Sequence, residues 1–336
     1  SSKLPIAAGC RFGSSRRRWL PATTARAHRI RENMATDWTV LVFGDSWVDD
    51  NFMHPGFPSW PQVLAQQRLR AKVFNFAQSG SLCDQLPDQG RMALMHPQVP
   101  KAPGGLLRKE TLVVIHSCGN DFIGKIAQAV TGMDIMGLMR GVMGGGGGMM
   151  NMGGGMAPGE VPELLKANPG HREVQIMRQF MESMYAGGAR HFFVSGVPAF
   201  VDMPAFNMAW PLITNMINQG KLEDIGVSPG DPPRLAMEVQ ITALHERWEE
   251  LCTNFSTAHS DVQCVFFDEV ASLERLRSSL GAASFDSQMW DFTMFHPSVF
   301  GHQQLAAEAH LCLTQGMPAL AALAPHPDVP AEARAA

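Results

Sequence analysis

Five short apolar runs punctuate the chain, each rich in β-branched or aromatic residues: Thr39–Phe43, Val73–Phe76, Thr111–His116, His191–Ser195 and Gln263–Phe267. Runs this short, bounded by turn formers, predict buried strands. Between them the apolar positions recur at helical spacing. Trp60–Arg70 carries Val63, Leu64 and Leu69, and Arg172–Tyr185 carries Val174, Ile176, Met177, Phe180, Met181 and Met184. Leu235–Phe255 sets Leu244, Trp248 and Leu251 along one face. Ser298 is a good N-cap for a last helix running to about Leu313. Strands alternating with helices predict an α/β fold, a parallel sheet covered on both faces.

Two regions break this pattern. Residues 133–156 hold eight methionines and ten glycines, Gly144–Gly148 among them. Polyglycine supports no regular element because its backbone entropy is too costly to lose, so a disordered surface insertion is expected within 131–160. At the other break, residues 1–33 contain seven arginines, one lysine and a single acid, Glu32. That composition suits an organelle transit peptide, and it equally suits a translated extension ahead of Met34-Ala35-Thr36. The expected organisation is a disordered extension or transit-like segment over 1–35, one domain over 36–322 and a tail over 323–336.

Composition narrows the function classes. With 336 residues, 45% of them hydrophobic, the chain can bury a sizeable core. A net charge of -4 gives no reason to expect a nucleic-acid partner. No apolar stretch approaches the roughly 20 residues of a membrane span, and no secretory apolar region precedes the first strand. The six cysteines are scattered without a C-x-x-C pair, which predicts free thiols in a reducing, intracellular compartment, cytoplasmic or organellar. Oligomeric state leaves no mark on the sequence.

The chemistry-bearing residues stand at the ends of the predicted strands. Val40-Leu41-Val42-Phe43 stops at Gly44-Asp45-Ser46, which can present one hydroxyl at the tip of a sheet. A serine hydroxyl is barely ionised at neutral pH and needs a base within hydrogen-bond reach. Gly80 follows the second strand, where a backbone N–H could approach a substrate closely. Gly119-Asn120-Asp121 follows the third strand, and the Asn120 amide can donate to an oxyanion. His296, before Pro297 at the start of the last helix, is a candidate general base. Each segment also suits a plain turn or helix cap. No G-x-S-x-G is present, and no P-loop or G-x-G-x-x-G follows the first strand.

In their order and spacing these blocks resemble the GDSL or SGNH hydrolases, whose four blocks carry Ser, Gly, Asn and His. The likeness spans most of residues 38–315. It includes Phe192-Phe193-Val194-Ser195-Gly196-Val197-Pro198, similar to the fourth-strand segment of the lipase/acylhydrolase branch, and Phe266-Phe267-Asp268 followed by Leu273 and Leu276, similar to its fifth-strand and helix segment. The resemblance implies a three-layer α/β/α sandwich with a five-stranded parallel sheet of order 2-1-3-4-5. It implies cleavage of carboxylic esters, from small molecules to lipids, with no metal or organic cofactor. By position it implies Ser46 as nucleophile, His296 as base, and Ser46, Gly80 and Asn120 as the oxyanion hole.

The last block departs from the family's Asp-x-x-His-Pro. Thr293 stands three residues before His296, and the nearest acid, Asp291, stands five before. Asp291 completes a triad if the chain bulges over Phe292–Met294; otherwise the pair is a Ser–His dyad. The displacement also leaves open a non-catalytic binding protein on the same fold, and fold alone would allow a flavodoxin-like phosphate or nucleotide binder. The methionine–glycine insertion gains a second reading beside disorder, a mobile apolar lid adaptable to varied acyl chains.

Overall fold

The structure is a computed structural model. It describes residues 37–50, 58–121, 171–198, 203–220, 228–291, 295–321 and 323. The N-terminal extension, the methionine–glycine insertion, the tail from residue 324 and the segment 292–294 lie outside the described residues.

Five strands form one parallel sheet of order β2-β1-β3-β4-β5. They are β1 (Thr39–Gly44), β2 (Lys72–Asn75), β3 (Thr111–His116), β4 (His191–Ser195) and β5 (Gln263–Phe267). Every residue of β1 and β3 is buried, as strands covered on both faces should be. In register, Thr39 pairs with Thr111 and Gly44 with His116, so the two central strands end level with one another.

The first helix, α1, departs from the expectation of one regular element over Trp60–Arg70. It is α-helical over Trp60–Val63 and π-helical over Leu64–Leu69, and Arg70 ends it in the left-handed conformation (φ 54°). The remaining helices are α2 (Leu86–Met95), α3 (His171–Ala186), α4 (Pro204–Asn218), α5 (Pro233–Ala258), α6 (Glu269–Leu280), α7 (Ala282–Gln288), α8 (Val299–Gly316) and α9 (Pro318–Ala321). Ser298 caps α8, its side chain accepting from the Gly301 N–H at 3.0 Å.

Side-chain alternation sorts the layers. In β4, Phe192 meets Phe255 of α5 on one face, while Phe193 meets Trp60 of α1 on the other. On the first face Phe43 of β1 meets Phe180 of α3, which packs on α2. On the second face α8 packs against α1, α6 and β5. The result is helix, sheet and helix in three layers, with the free strand ends at one edge.

Candidate active site

The turn after β1 is built to project Ser46. Asp45 opens a single helical turn: its carbonyl accepts from the N–H groups of Val48 (3.2 Å) and Asp49 (3.1 Å), and its carboxylate accepts from Trp47 N–H (3.1 Å). Gly44 before it has φ 144°, and a Cβ there would lie 1.8 Å from the His116 carbonyl oxygen, so only glycine lets β1 and β3 approach this closely. The buried Gln89 side chain of α2 clamps the same glycine. Its Oε1 accepts from Gly44 N–H (2.8 Å), and its Nε2 donates to the Gly44 carbonyl (2.9 Å). That carbonyl also accepts from Ser81 Oγ (2.6 Å) and Gln78 N–H (3.0 Å).

Ser46 Oγ lies 2.9 Å from His296 Nε2, though 250 residues separate them in the chain. This is hydrogen-bond distance for a hydroxyl donating to a neutral imidazole.

The second and third blocks meet beside this pair. Asn120 lies in a helical turn that begins at Gly119, after β3, and is buried. Its Nδ2 donates to the Ser81 carbonyl at 3.0 Å, and Asp121 Oδ2 accepts from Cys83 N–H at 2.9 Å. The loop after β2, with Gly80 at φ 75°, is thereby bonded to the loop after β3. Cys118, two residues before Asn120, has φ 74°, a conformation that a side chain makes costly and that concentrates at functional turns.

His296 is carried on a closed loop. Trp290 and Pro297 form an antiparallel bridge, Asp291 N–H donates to the His296 carbonyl (2.9 Å), and Ser298 N–H donates to the Met289 carbonyl (2.8 Å). Asp291 and His296 therefore stand opposite one another inside the bridge, and opposed residues of an antiparallel pair share a face. The Asp291 side chain is buried. The other two acids near this block are engaged elsewhere: Asp268 caps α6 and faces His245 Nδ1 at 3.4 Å, and Asp286 faces Arg277 at 3.8 Å. His302 serves packing, its Nδ1 accepting from Trp60 N–H at 3.2 Å.

Three residues at the site escaped sequence reasoning. Gln89 sits on a helix whose existence the apolar spacing did not announce, and its pattern carries no sign of a clamp. His116 and Glu269 are fully buried and joined by a contact that no local motif encodes.

The described cysteines, Cys83, Cys118, Cys252, Cys264 and Cys312, are all free thiols. Burial pushes the Cys118 thiol well above its ordinary range, which suits an inert core group. Among the described residues no helix is long and apolar enough to cross a membrane.

The family model for GDSL-like lipase/acylhydrolase matches residues 40–309. No curated protein matches the chain by sequence. Among solved structures, the chain is similar to Axe2, an acetylxylan esterase from Geobacillus stearothermophilus, at 15% identity and a TM-score of 0.43, over 82% of this chain and 93% of that one. It is also similar to a GDSL-like lipase from Parabacteroides merdae at 13% identity and a TM-score of 0.43, over 83% of this chain and 97% of that one. The family match takes in β2 to β5, β1 from its second residue and both partners of the Ser46–His296 contact, and the chain belongs to the GDSL-like lipase/acylhydrolase family, hydrolases that act on ester bonds.

Proposed function

We propose that the protein is a serine esterase that works through an acyl-enzyme on Ser46. The observation that carries this reading is the 2.9 Å contact between Ser46 Oγ and His296 Nε2 just past the C-terminal end of β1. His296 takes the hydroxyl proton as Oγ attacks the ester carbonyl carbon, forming a tetrahedral oxyanion. The backbone N–H groups of Ser46 and Gly80 and the Asn120 amide donate to that oxyanion. Collapse breaks the carbon–oxygen bond, and His296 returns its proton to the leaving alkoxide. Water, activated by the same imidazole, then releases the acid and restores Ser46.

Asp291 orients His296 in this scheme. Support comes from its place opposite His296 across the bridge and from its burial. A carboxylate there holds the imidazole in the correct tautomer and stabilises the imidazolium that forms.

The test is a panel of p-nitrophenyl esters of increasing acyl length, run with wild type and Ser46→Ala, together with labelling by a fluorophosphonate probe. Ser46→Ala abolishes turnover and labelling while stability moves by about 1 kcal/mol or less. A Ser46→Ala protein that still turns over within a few fold of wild type, or still labels, refutes the assignment. The panel also ranks acyl lengths.

A further inference from the structure

Beneath Ser46 lies a buried cluster with no direct part in the bond-breaking chemistry. The His116 ring is fully buried between two carboxylates. Its Nδ1 is 3.2 Å from Asp45 Oδ1, and its Nε2 is 3.3 Å from Glu269 Oε2. Glu269 is fully buried at the first turn of α6, where the helix dipole favours a negative charge, and its other oxygen accepts from Ser195 Oγ at the end of β4. Asp45 Oδ1 accepts from Trp47 N–H as well. A neutral imidazole has one N–H and cannot donate to a carboxylate on each side; an imidazolium donates to both. Trp47 stacks on the same ring with centroids 5.6 Å apart and planes 7° apart, the placement that favours a cation over an indole face.

The cluster reaches both halves of the catalytic pair. Asp45 is covalently next to Ser46, and the His116 backbone pairs with Gly44. On the other side, Trp47 meets Trp290 edge to face at 6.3 Å, and Trp290 forms the bridge that closes the His296 loop.

We propose that His116 is a positioning residue for ester cleavage, an imidazolium held between Asp45 and Glu269 that fixes the turn bearing Ser46 and, through Trp47 and Trp290, the loop bearing His296. The proposal rests on the serine-esterase reading. Among the described residues, Asp45 and Glu269 are the titratable groups in contact with the ring, and Ser195 and Trp47 complete its polar and aromatic surroundings. Burial opposes the charged ring, but Glu269 and Asp45 outweigh it and raise the His116 pKa to about 10. The cation is thus present at neutral pH and is lost only as pH rises through that value.

Two measurements test this. Nitrogen-15 NMR of histidine-labelled wild type reads the ring directly, the His116 signal being assigned by its response to Glu269→Gln. The expected result is an imidazolium, both nitrogens protonated, at neutral pH; a neutral tautomer there overturns the proposal. Kinetics of Glu269→Gln, which keeps the side-chain shape and removes one charge, should show kcat down about tenfold to a hundredfold with KM within about twofold, the signature of misplaced catalytic groups. Its alkaline limb should move to lower pH, because Asp45 alone then retains the ring proton. A folded Glu269→Gln with wild-type kcat and pH profile overturns the proposal. Ser195→Ala, which removes only the hydroxyl orienting Glu269, serves if Glu269→Gln does not fold; kcat should fall about threefold for the loss of one buried hydrogen bond, and an unchanged kcat counts against the proposal. Fluorophosphonate labelling separates the two ideas. Wild type that never labels at Ser46 defeats the serine-esterase reading, whereas Glu269→Gln that labels at the wild-type rate defeats only the role of His116.

Discussion

Gly44→Ala is the sharpest test of how the nucleophile turn is built. A methyl group at residue 44 falls 1.8 Å from the His116 carbonyl oxygen, more than an ångström inside the 3.0 Å that real Cβ contacts essentially never breach. The obstacle is backbone of the neighbouring strand, so no rotamer change relieves it. Relief requires β1 and β3 to part at their level ends, which strains the surrounding core, and φ 144° is itself costly for alanine. The φ penalty is about 1–2 kcal/mol. Overpacking a close-packed interior adds about 1–3 kcal/mol. Disturbing the two Gln89 bonds to Gly44 adds about 1 kcal/mol each. The sum is about 4–7 kcal/mol, which for a domain of this size lowers Tm by roughly 10–20 °C. Gly281→Ala is the control: φ there is 78°, but nothing lies within 4 Å of the added Cβ, so only the conformational penalty of about 1–2 kcal/mol applies. Calorimetry of both variants, with ester turnover on the folded fraction, makes the comparison. If Gly44→Ala unfolds no earlier than Gly281→Ala and keeps wild-type kcat, the account of this turn is wrong.

Asn120→Ala should lower kcat by roughly 10²–10³ with a smaller change in KM; a pure KM effect would make Asn120 a substrate-binding residue instead. Asp291→Asn should lower kcat by about 10² or more, by loss of the correct imidazole tautomer, and a change under about threefold would make the enzyme a Ser–His dyad. The His116 contribution to stability should decline progressively as pH rises from about 6.5 to about 10. The His116 pKa rises on folding from 6.5 to about 10, so its contribution is complete below the unfolded value and is lost as pH rises through the folded one. Urea midpoints across that range check this, with the double variant His116→Gln/Glu269→Gln as the comparison lacking the step. A wild-type midpoint that declines no faster than the variant's counts against a buried imidazolium.

The strands were the most legible part of the fold because two-sided burial forces continuous apolar runs. Thr111–His116, His191–Ser195 and Gln263–Phe267 stand where the sequence predicts them, and β1 and β2 differ at their ends by only a residue. Helices were less legible where their composition cuts across the pattern. α4 carries Pro211 within it, and the first turn of α2 holds Pro87. Neither segment carries a predicted element, and both are helices in which a proline interrupts the local pattern. Ser46 and His296, which lie 2.9 Å apart, and Asn120 all stand in compact blocks that a reading of the sequence can single out. The Gln89 clamp and the His116–Glu269 contact were invisible for the opposite reason: they join residues 45 and 153 positions apart, and burial makes them matter while no local motif encodes them.

The displaced aspartate shows why spacing along the chain is a weak guide to distance across a site. Counted in sequence, Asp291 is two residues too far from His296 to fit the family's last block. Counted in register, the two residues face one another, because the step inward from Trp290 to Asp291 on one arm matches the step from Pro297 to His296 on the other. The bond from Asp291 N–H to the His296 carbonyl fixes that register, and the Ser298 N–H bond to the Met289 carbonyl fixes it again one step outside. Lengthening such a loop by a pair of residues enlarges its tip and leaves its neck unchanged, at an entropic cost that grows only with the logarithm of length. An acid at the neck can thus serve the same histidine across a longer loop, which is the physical basis for expecting Asp291→Asn to reach kcat at all.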